Sequence, residues 1–243
     1  MEVAAGIHRL TNGVVNFYLV QDGGKLTLVD AGAPGDFDAF ARAVASLDRS
    51  LDDLDSVLLT HAHSDHTGFA ERARTDASAT VRIHREDEEM ARTGKAPKNQ
   101  SGVGRYLLRP EAYRTLFGLM RRHGLKVVPI HELSTFDDGE MLDVPGRPRV
   151  VHAPGHTDGT CAIWFEEQHA LMTGDALATR NPLTGRMGPQ IAPDGLNKDS
   201  DRALRSLDEL APLPVDLVLT GHGEPWTGGI AEAVRLAKLA GRS

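Results

Sequence analysis

The chain contains a single cysteine, Cys161, so no intrachain disulfide can form and the fold must be held by packing and hydrogen bonds. Cys161 sits in the apolar run TCAIWF, where a small buried packing residue is expected. No stretch approaches the roughly 18 consecutive apolar residues that a membrane-spanning helix requires. The opening residues, MEVAAGIHRLTNGVVNFYLV, lack the basic start and long apolar core of a secretory signal. A cytoplasmic protein without a membrane partner is the expectation. Cations are not in excess either: the formal net charge is −7, which argues against a general nucleic-acid binder, and none is expected as partner. There is no Gly-x-Ser-x-Gly elbow to present a nucleophilic serine. Short repeats, low-complexity tracts and Pro/Gly-rich linkers are missing as well, so residues 1–243 read as one domain.

What remains is a soluble composition, 40% hydrophobic and 25% charged, sufficient for a real core. Residues 14–20 and 25–30 are β-rich runs joined by Asp22-Gly23-Gly24, a hairpin signal. A helix is predicted over 36–49, with Phe37, Phe40, Val44 and Leu47 at helical intervals. Strands are predicted at 56–60, 79–83, 126–130, around 140–144, 149–153, 160–165, 169–173 and 215–220. Helices are predicted near 67–74, over 199–210 and over 229–240, with a Gly- and Pro-rich loop at 181–195. A basic helical insertion interrupts this pattern at about 88–126. Residues 91–126 hold nine lysines and arginines against one acid, Glu111. Within it, Tyr113, Leu116, Phe117 and Met120 form an apolar stripe at helical spacing, which would pack on the body of the protein or on a second subunit.

The most unusual stretch is LLTHAHSDHTGFA, residues 58–70. An apolar strand ends in His61, His63, Asp65 and His66. In extended chain His61 and His63 share one face, while Asp65 and His66 follow as the chain turns. Imidazole and carboxylate together suit zinc, iron or manganese. Three later segments repeat the form of an apolar run ending in a glycine-flanked ligand type: VVHAPGHTDG with His156, ALMTGDAL with Asp175, and LVLTGHGEPW with His222. Glycine beside each lets the backbone turn sharply and brings the side chain close to another group. The remaining histidines, at 8, 84, 123, 131, 152 and 169, read as ordinary polar residues, His152 being the nearest to the site.

The set THAHSDH, PGHTDG, TGDAL and TGHG, in this order, resembles the metallo-β-lactamase superfamily of hydrolases. The resemblance runs from about Asp30 to His222. It implies an α/β fold, a four-layer αββα sandwich of two mixed β-sheets with helices outside, and a dinuclear site at one edge. By that resemblance His61, His63 and His156 hold one divalent ion, Asp65, His66 and His222 hold the other, and Asp175 bridges. Zn2+ is the first choice, with Fe and Mn as alternatives. LVDAG, with Asp30, looks like the family's early strand-end motif, whose aspartate supports the site from behind a ligand. The implied chemistry is hydrolysis by a metal-bridging hydroxide, with Asp65 and Asp175 as the catalytic carboxylates and Asp65 helping to shuttle a proton.

The implied substrate is a small ester, thioester or lactone, as in the glyoxalase II-like and lactonase-like branches. The chain ends about twenty residues after His222, without the helical extension associated with glutathione-thioester hydrolysis. A phosphodiesterase, low-level β-lactam hydrolysis and an iron-dependent redox enzyme on the same fold are the alternatives. The cations of the insertion suit an anionic substrate, with Arg105, Arg109 and Arg114 as candidate contacts and Tyr106 and Tyr113 as pocket walls. The competing reading is a solvated basic face or a homodimer surface; a membrane-surface role has no further support in the sequence.

Overall fold

The computed structural model describes residues 1–95, 103–106 and 108–242, without the side chains of Val103 and Arg105. Seven strands form one sheet in chain order: β1 (Glu2–Ala4), β2 (Ile7–Thr11), β3 (Asn16–Asp22), β4 (Lys25–Val29), β5 (Leu54–Leu59), β6 (Thr80–His84) and β7 (Ser134–Phe136). Pairing is antiparallel from β1 to β4 and parallel from β4 to β7. The second sheet contains β8 (Arg149–His152), β9 (Cys161–Phe165), β10 (Ala170–Gly174) and, beyond a hairpin of β11 (Ala178–Arg180) and β12 (Met187–Gln190), β13 (Leu217–Thr220). Its order is β13-β10-β9-β8, with only the β10–β13 pair parallel.

Strand alternation explains the layering, because successive side chains point to opposite faces of a sheet. On β3, Tyr18 and Val20 face the second sheet, while Phe17 and Leu19 face outward. On β9, Cys161, Ile163 and Phe165 face inward and Ala162 faces outward. The inner residues of both sheets therefore form one core between them. The outer face of the first sheet is covered by α1 (Phe37–Ala45), α2 (Ala70–Ala77) and α3 (Glu88–Thr93), with Phe37, Phe40, Phe69 and Ala73 among the contacts. That of the second is covered by α5 (Ser200–Leu210) and α6 (Ile230–Ala240) through Leu207, Leu210, Ala233 and Val234. The result is the αββα sandwich with mixed sheets. Cys161 is fully buried, burial pushes its thiol well above the ordinary range, and it packs as a small apolar residue. Among the described residues no helix is long and apolar enough to cross a membrane.

Three local expectations differ from the structure. Residues 126–130 are not a strand. Pro129 has no N–H to give a ladder, and the segment is tied down otherwise: Ile130 N donates to Ala91 O, and Arg92 donates to the carbonyls of His131 and Leu133. The parallel edge strand is instead β7, a few residues later. The loop expected at 181–195 contains β12, because Asn181 turns the chain with its side-chain oxygen accepting from the N–H groups of Leu183 and Thr184. Around 140–144 there is only an isolated bridge, Met141 to Arg149.

Glu71 on α2 anchors the segment that replaces the expected strand. It accepts from Arg74 at 2.8 and 2.9 Å and from the His131 backbone N–H at 3.2 Å. These partners, Arg74 foremost, hold its carboxyl down at about 2, against an ordinary 4.5. A depressed folded-state value stabilises above the unfolded value, and the gain is lost as pH falls from about 4.5 through about 2. Glu71→Gln is expected to cost about 1 kcal/mol at pH 7, with wild type and variant converging near pH 2. Thermal melts across that range check it; a gap that does not narrow at low pH would refute the ion-pair account.

Candidate metal centre

All four strand ends predicted to carry ligand types lie at one edge of the sandwich. β5 ends at Leu59 and β10 at Gly174, and the backbone joins the two sheets here: Cys161 N donates to Thr60 O, and Asn16 N to Gly221 O. From β3, Asn16 and Tyr18 donate to Thr220 O at 2.9 and 2.8 Å, fixing the end of β13. Two glycines are required by this crowding. Gly174 has φ +48°, and a Cβ there would lie 2.2 Å from Thr60 Oγ1. A Cβ on Gly221 would lie 2.6 Å from Asp175 Oδ1 and 2.7 Å from His66 Cε1.

His61, His63 and His156 offer ring nitrogens that lie within 4.8 Å of one another, as do the ligand atoms of His61, His66 and Asp175, and those of Asp65, His66 and His222. His63 Nδ1 is 2.8 Å from His156 Nε2. Asp175 stands between the groups, with Oδ1 3.5 Å from His66 Nε2, and Oδ2 3.4 Å from His156 Nε2 and 3.3 Å from His222 Nε2. Asp65 Oδ2 lies 3.7 Å from His222 Nε2.

The backs of the rings are held by the protein. His66 Nδ1 faces Asp30 Oδ2 at 2.8 Å, His222 Nδ1 faces Val14 O at 2.7 Å, and His156 Nδ1 faces Asn197 Oδ1 at 3.0 Å. With each Nδ1 engaged by these acceptors, Nε2 is the ring nitrogen left facing inward. Asp30 takes left-handed backbone geometry, φ 60°, which an aspartate tolerates, and also accepts from Thr60 N and Oγ1. Thr60 Oγ1 in turn lies 3.1 Å from His61 Nδ1.

The donor set fits divalent cations on a specific observation. His61 Nε2, His66 Nε2 and Asp175 Oδ1 are buried without a hydrogen-bond partner. Orphaned buried polar atoms are costly, and here three of them converge on one place. Burial, and then neighbouring imidazoles, push His61 well below its ordinary value and His156 down to about 4, which leaves neutral rings able to donate electron pairs. At His66 burial opposes the charge, yet the carboxylates of Asp30, Asp175 and Asp65 outweigh it and lift the ring to about 10. Asp175 is held well below the carboxylate range because His222 and His66 outweigh its burial.

The six other histidines take part in none of the metal-type groups. His152 stacks on His84, ring centroids 4.0 Å apart, and its Nε2 meets Asp158 O at 2.7 Å. The substrate candidates separate. Arg114 lines a cleft of about 170 Å3 beside His222, with Asn12, Val14, Glu111, Thr115 and Arg180. Tyr106 is buried in a small cluster with Ala112 and Leu183, while Arg109 and Tyr113 are exposed. The side chain of Arg105 lies outside the described residues.

Sequence reasoning missed Asn197, Arg180 and Asp87, which carry no motif spacing of their own. Asp87 is buried and accepts from Ala62 N at 2.9 Å, Thr157 Oγ1 at 2.7 Å and Gly159 N at 2.8 Å, so one carboxylate braces the loops of His61, His63 and His156. Replacing Asp87 by Asn turns one acceptor oxygen into a donor facing N–H or O–H groups. Zinc affinity is expected to fall roughly 10–100-fold, measured by competition with a chromophoric chelator; an unchanged affinity would show that the brace does not position the ligands.

Comparison with known proteins agrees with this geometry. Residues 10–222 match the family model of the metallo-beta-lactamase superfamily. The chain is 28% identical over 244 residues to the probable metallo-hydrolase YflN of Bacillus subtilis (strain 168), covering 93% of this chain and 87% of that one. The crystal structure of the metallo-beta-lactamase family protein TTHA1429 from Thermus thermophilus superposes with a TM-score of 0.71 at 25% identity, over 98% of this chain and 80% of its own. BJP-1, a subclass B3 metallo-beta-lactamase of Bradyrhizobium japonicum, shares the fold with a TM-score of 0.70 at 15% identity, over 99% and 90%. An αββα sandwich whose strand ends converge on such a ligand cluster, matched over nearly its whole length, belongs to the metallo-beta-lactamase superfamily and is a metal-dependent hydrolase.

Proposed function

We propose that this hydrolase is dinuclear and cleaves a small ester, thioester or lactone carrying a negative charge. The observation that carries the reading is the position of Asp175, whose Oδ2 lies 3.4 Å from His156 Nε2 and 3.3 Å from His222 Nε2, one from each ligand group, with Oδ1 3.5 Å from His66 Nε2. His61, His63 and His156 would hold one cation, Asp65, His66 and His222 the other, and Asp175 would be shared. Such a pair, with zinc as first choice, supplies Lewis acidity and lowers the pKa of water from 15.7 to about 7.

The chain's own residues supply the rest. Asp30, Asn197 and the Val14 carbonyl fix the imidazoles, so little reorganisation is left for the reaction itself. Asp65 is the most open of the carboxylates at the site, its side chain 19% exposed against 5% for Asp175. It is placed to hold a proton on a carboxylate oxygen and return it to the leaving group. Arg114 and Arg180 both reach the cleft beside His222, where Glu111 pairs with Arg180 and lies 3.7 Å from Arg114. Two guanidiniums around one carboxylate leave an excess positive charge that suits a carboxylate or phosphate on the substrate. Of the other candidates from the same insertion, Arg109, Tyr113 and Tyr106 do not line this cleft.

A hydrolysis panel of lactones, thioesters, phosphodiesters and β-lactams, each in neutral and anionic forms, tests this. Anionic carboxylic esters, thioesters or lactones should have kcat/KM at least tenfold above the other classes, and Arg114→Ala should remove the preference for charge. Equal turnover of neutral and anionic forms, unchanged in R114A, would remove the anion reading. A preference for phosphodiesters would replace the substrate class.

A further inference from the structure

α4 (Pro110–Arg121) is mounted with its apolar stripe outward. Its inner face is made of small residues: Ala112 is buried, Thr115 Oγ1 donates to Pro182 O at 2.5 Å, and a Cβ on Gly118 would lie 2.6 Å from Val14 Cγ2. The helix thus sits close against the loop at 12–15 without using its large side chains. Tyr113, Phe117 and Met120 are 57%, 62% and 57% exposed, and Leu116 lies beside them. Leu108 and Leu125 extend the patch at the two ends of the helix, both more than half exposed. Clustered apolar exposure of this kind marks an interaction surface.

The patch is rimmed by cations. Arg109, Arg121 and Lys126 are exposed around it, and the Arg121 guanidinium stands 5.7 Å from the centre of the Phe117 ring. This positive rim belongs to a chain whose net charge is −7, so charge is segregated onto one face. A second copy is a poor occupant, because a two-fold contact would bring the two cationic rims together. An apolar helix face flanked by arginine and lysine is the composition of a helix that lies in a lipid headgroup region.

We propose that α4 is an interfacial helix that docks this protein onto an anionic lipid bilayer, with Tyr113, Leu116, Phe117 and Met120 entering the headgroup boundary and the rim cations meeting lipid phosphates. Glu111 and Thr115, on the flank of the same helix, line the cleft beside His222, so docking would hold that cleft at the surface. The docking is independent of the substrate reading, since it is measured without turnover.

The test is co-sedimentation of the full, zinc-loaded chain with vesicles of phosphatidylglycerol and phosphatidylcholine in equal parts. Binding is expected to be at least tenfold tighter than to phosphatidylcholine alone. It should weaken between about 0.1 M and 1 M salt, where the screening length shrinks from ~10 to ~3 Å. The double variant F117S/M120S should lose at least tenfold in vesicle affinity while keeping its far-UV circular dichroism and thermal midpoint. No sedimentation with anionic vesicles, equal binding to neutral ones, or full binding by F117S/M120S would each overturn the proposal. So would a concentration-dependent dimer in analytical ultracentrifugation that F117S/M120S abolishes without any vesicle binding, which would assign the stripe to a second copy.

Discussion

Stripped of metal by a strong chelator, the protein is expected to lose hydrolase activity to background and to regain it on titration with zinc, saturating near two ions per chain. The effect is large because the one cysteine is buried and the sequence has no Gly-x-Ser-x-Gly elbow to supply a nucleophile in their stead. Cys161 is buried between the sheets with its thiol pushed well above the ordinary range. Without cations nothing lowers the pKa of water from 15.7. The fold, in contrast, should survive. None of the seven candidate ligands belongs to the three large apolar clusters, which lie between the sheets and under the helices on either side. This separates the protein from small metal-nucleated domains, which unfold when the metal is removed. Elemental analysis, activity and circular dichroism on the same stripped and refilled samples provide the check. A metal-free, folded and fully active preparation would sink the mechanism; activity restored in full by one equivalent would sink the dinuclear form of it.

Asp175→Ala is expected to lower kcat/KM by at least about a thousandfold, which corresponds to ~4 kcal/mol of transition-state stabilisation, with far-UV circular dichroism near that of wild type. Asp175 is buried, its oxygens lie within 3.5 Å of three imidazoles, and Oδ1 has no other partner. No neighbouring side chain can take its place between the two groups. Removing it also removes the counter-charge that helps lift His66 and His222 above the ordinary imidazole value. The variant should therefore bind its metals more weakly as well as turn over more slowly. Retained turnover at wild-type zinc content would show that Asp175 is not shared between cations.

The run of leucines and histidines at 58–66 was informative because strand chemistry and ligand chemistry obey different rules and both were satisfied in adjacent residues. Leu58 and Leu59 are buried on opposite faces of the first sheet, and His61 begins where the ladder ends. The glycine-flanked ends at His156, Asp175 and His222 carried the same signal. Much of the sandwich was legible for a similar reason: short, nearly continuous apolar runs mark strands buried on both faces, and the helix from Ser200 and the one from Ile230 show clear 3.6-residue stripes. The segment at 126–130 misled because its β-branched residues are outvoted by Pro129 and by side-chain anchors from Glu71 and Arg92, which are distant in sequence.

Taken alone, the sequence marked most strands and helices and the seven candidate ligands, because these follow from residue type and short-range period, while the layered class came from the resemblance its motifs carry. Only the tertiary structure decided that Asp87 braces two ligand loops, that Asn197 holds His156, that Arg180 shares Glu111 with Arg114, and that α4 turns its large apolar residues outward. Each depends on contacts between segments far apart in the chain. A helical stripe has a period but no sign: its spacing shows that large side chains share a face, and only the packing of Ala112 and Gly118 against the body shows which way that face points.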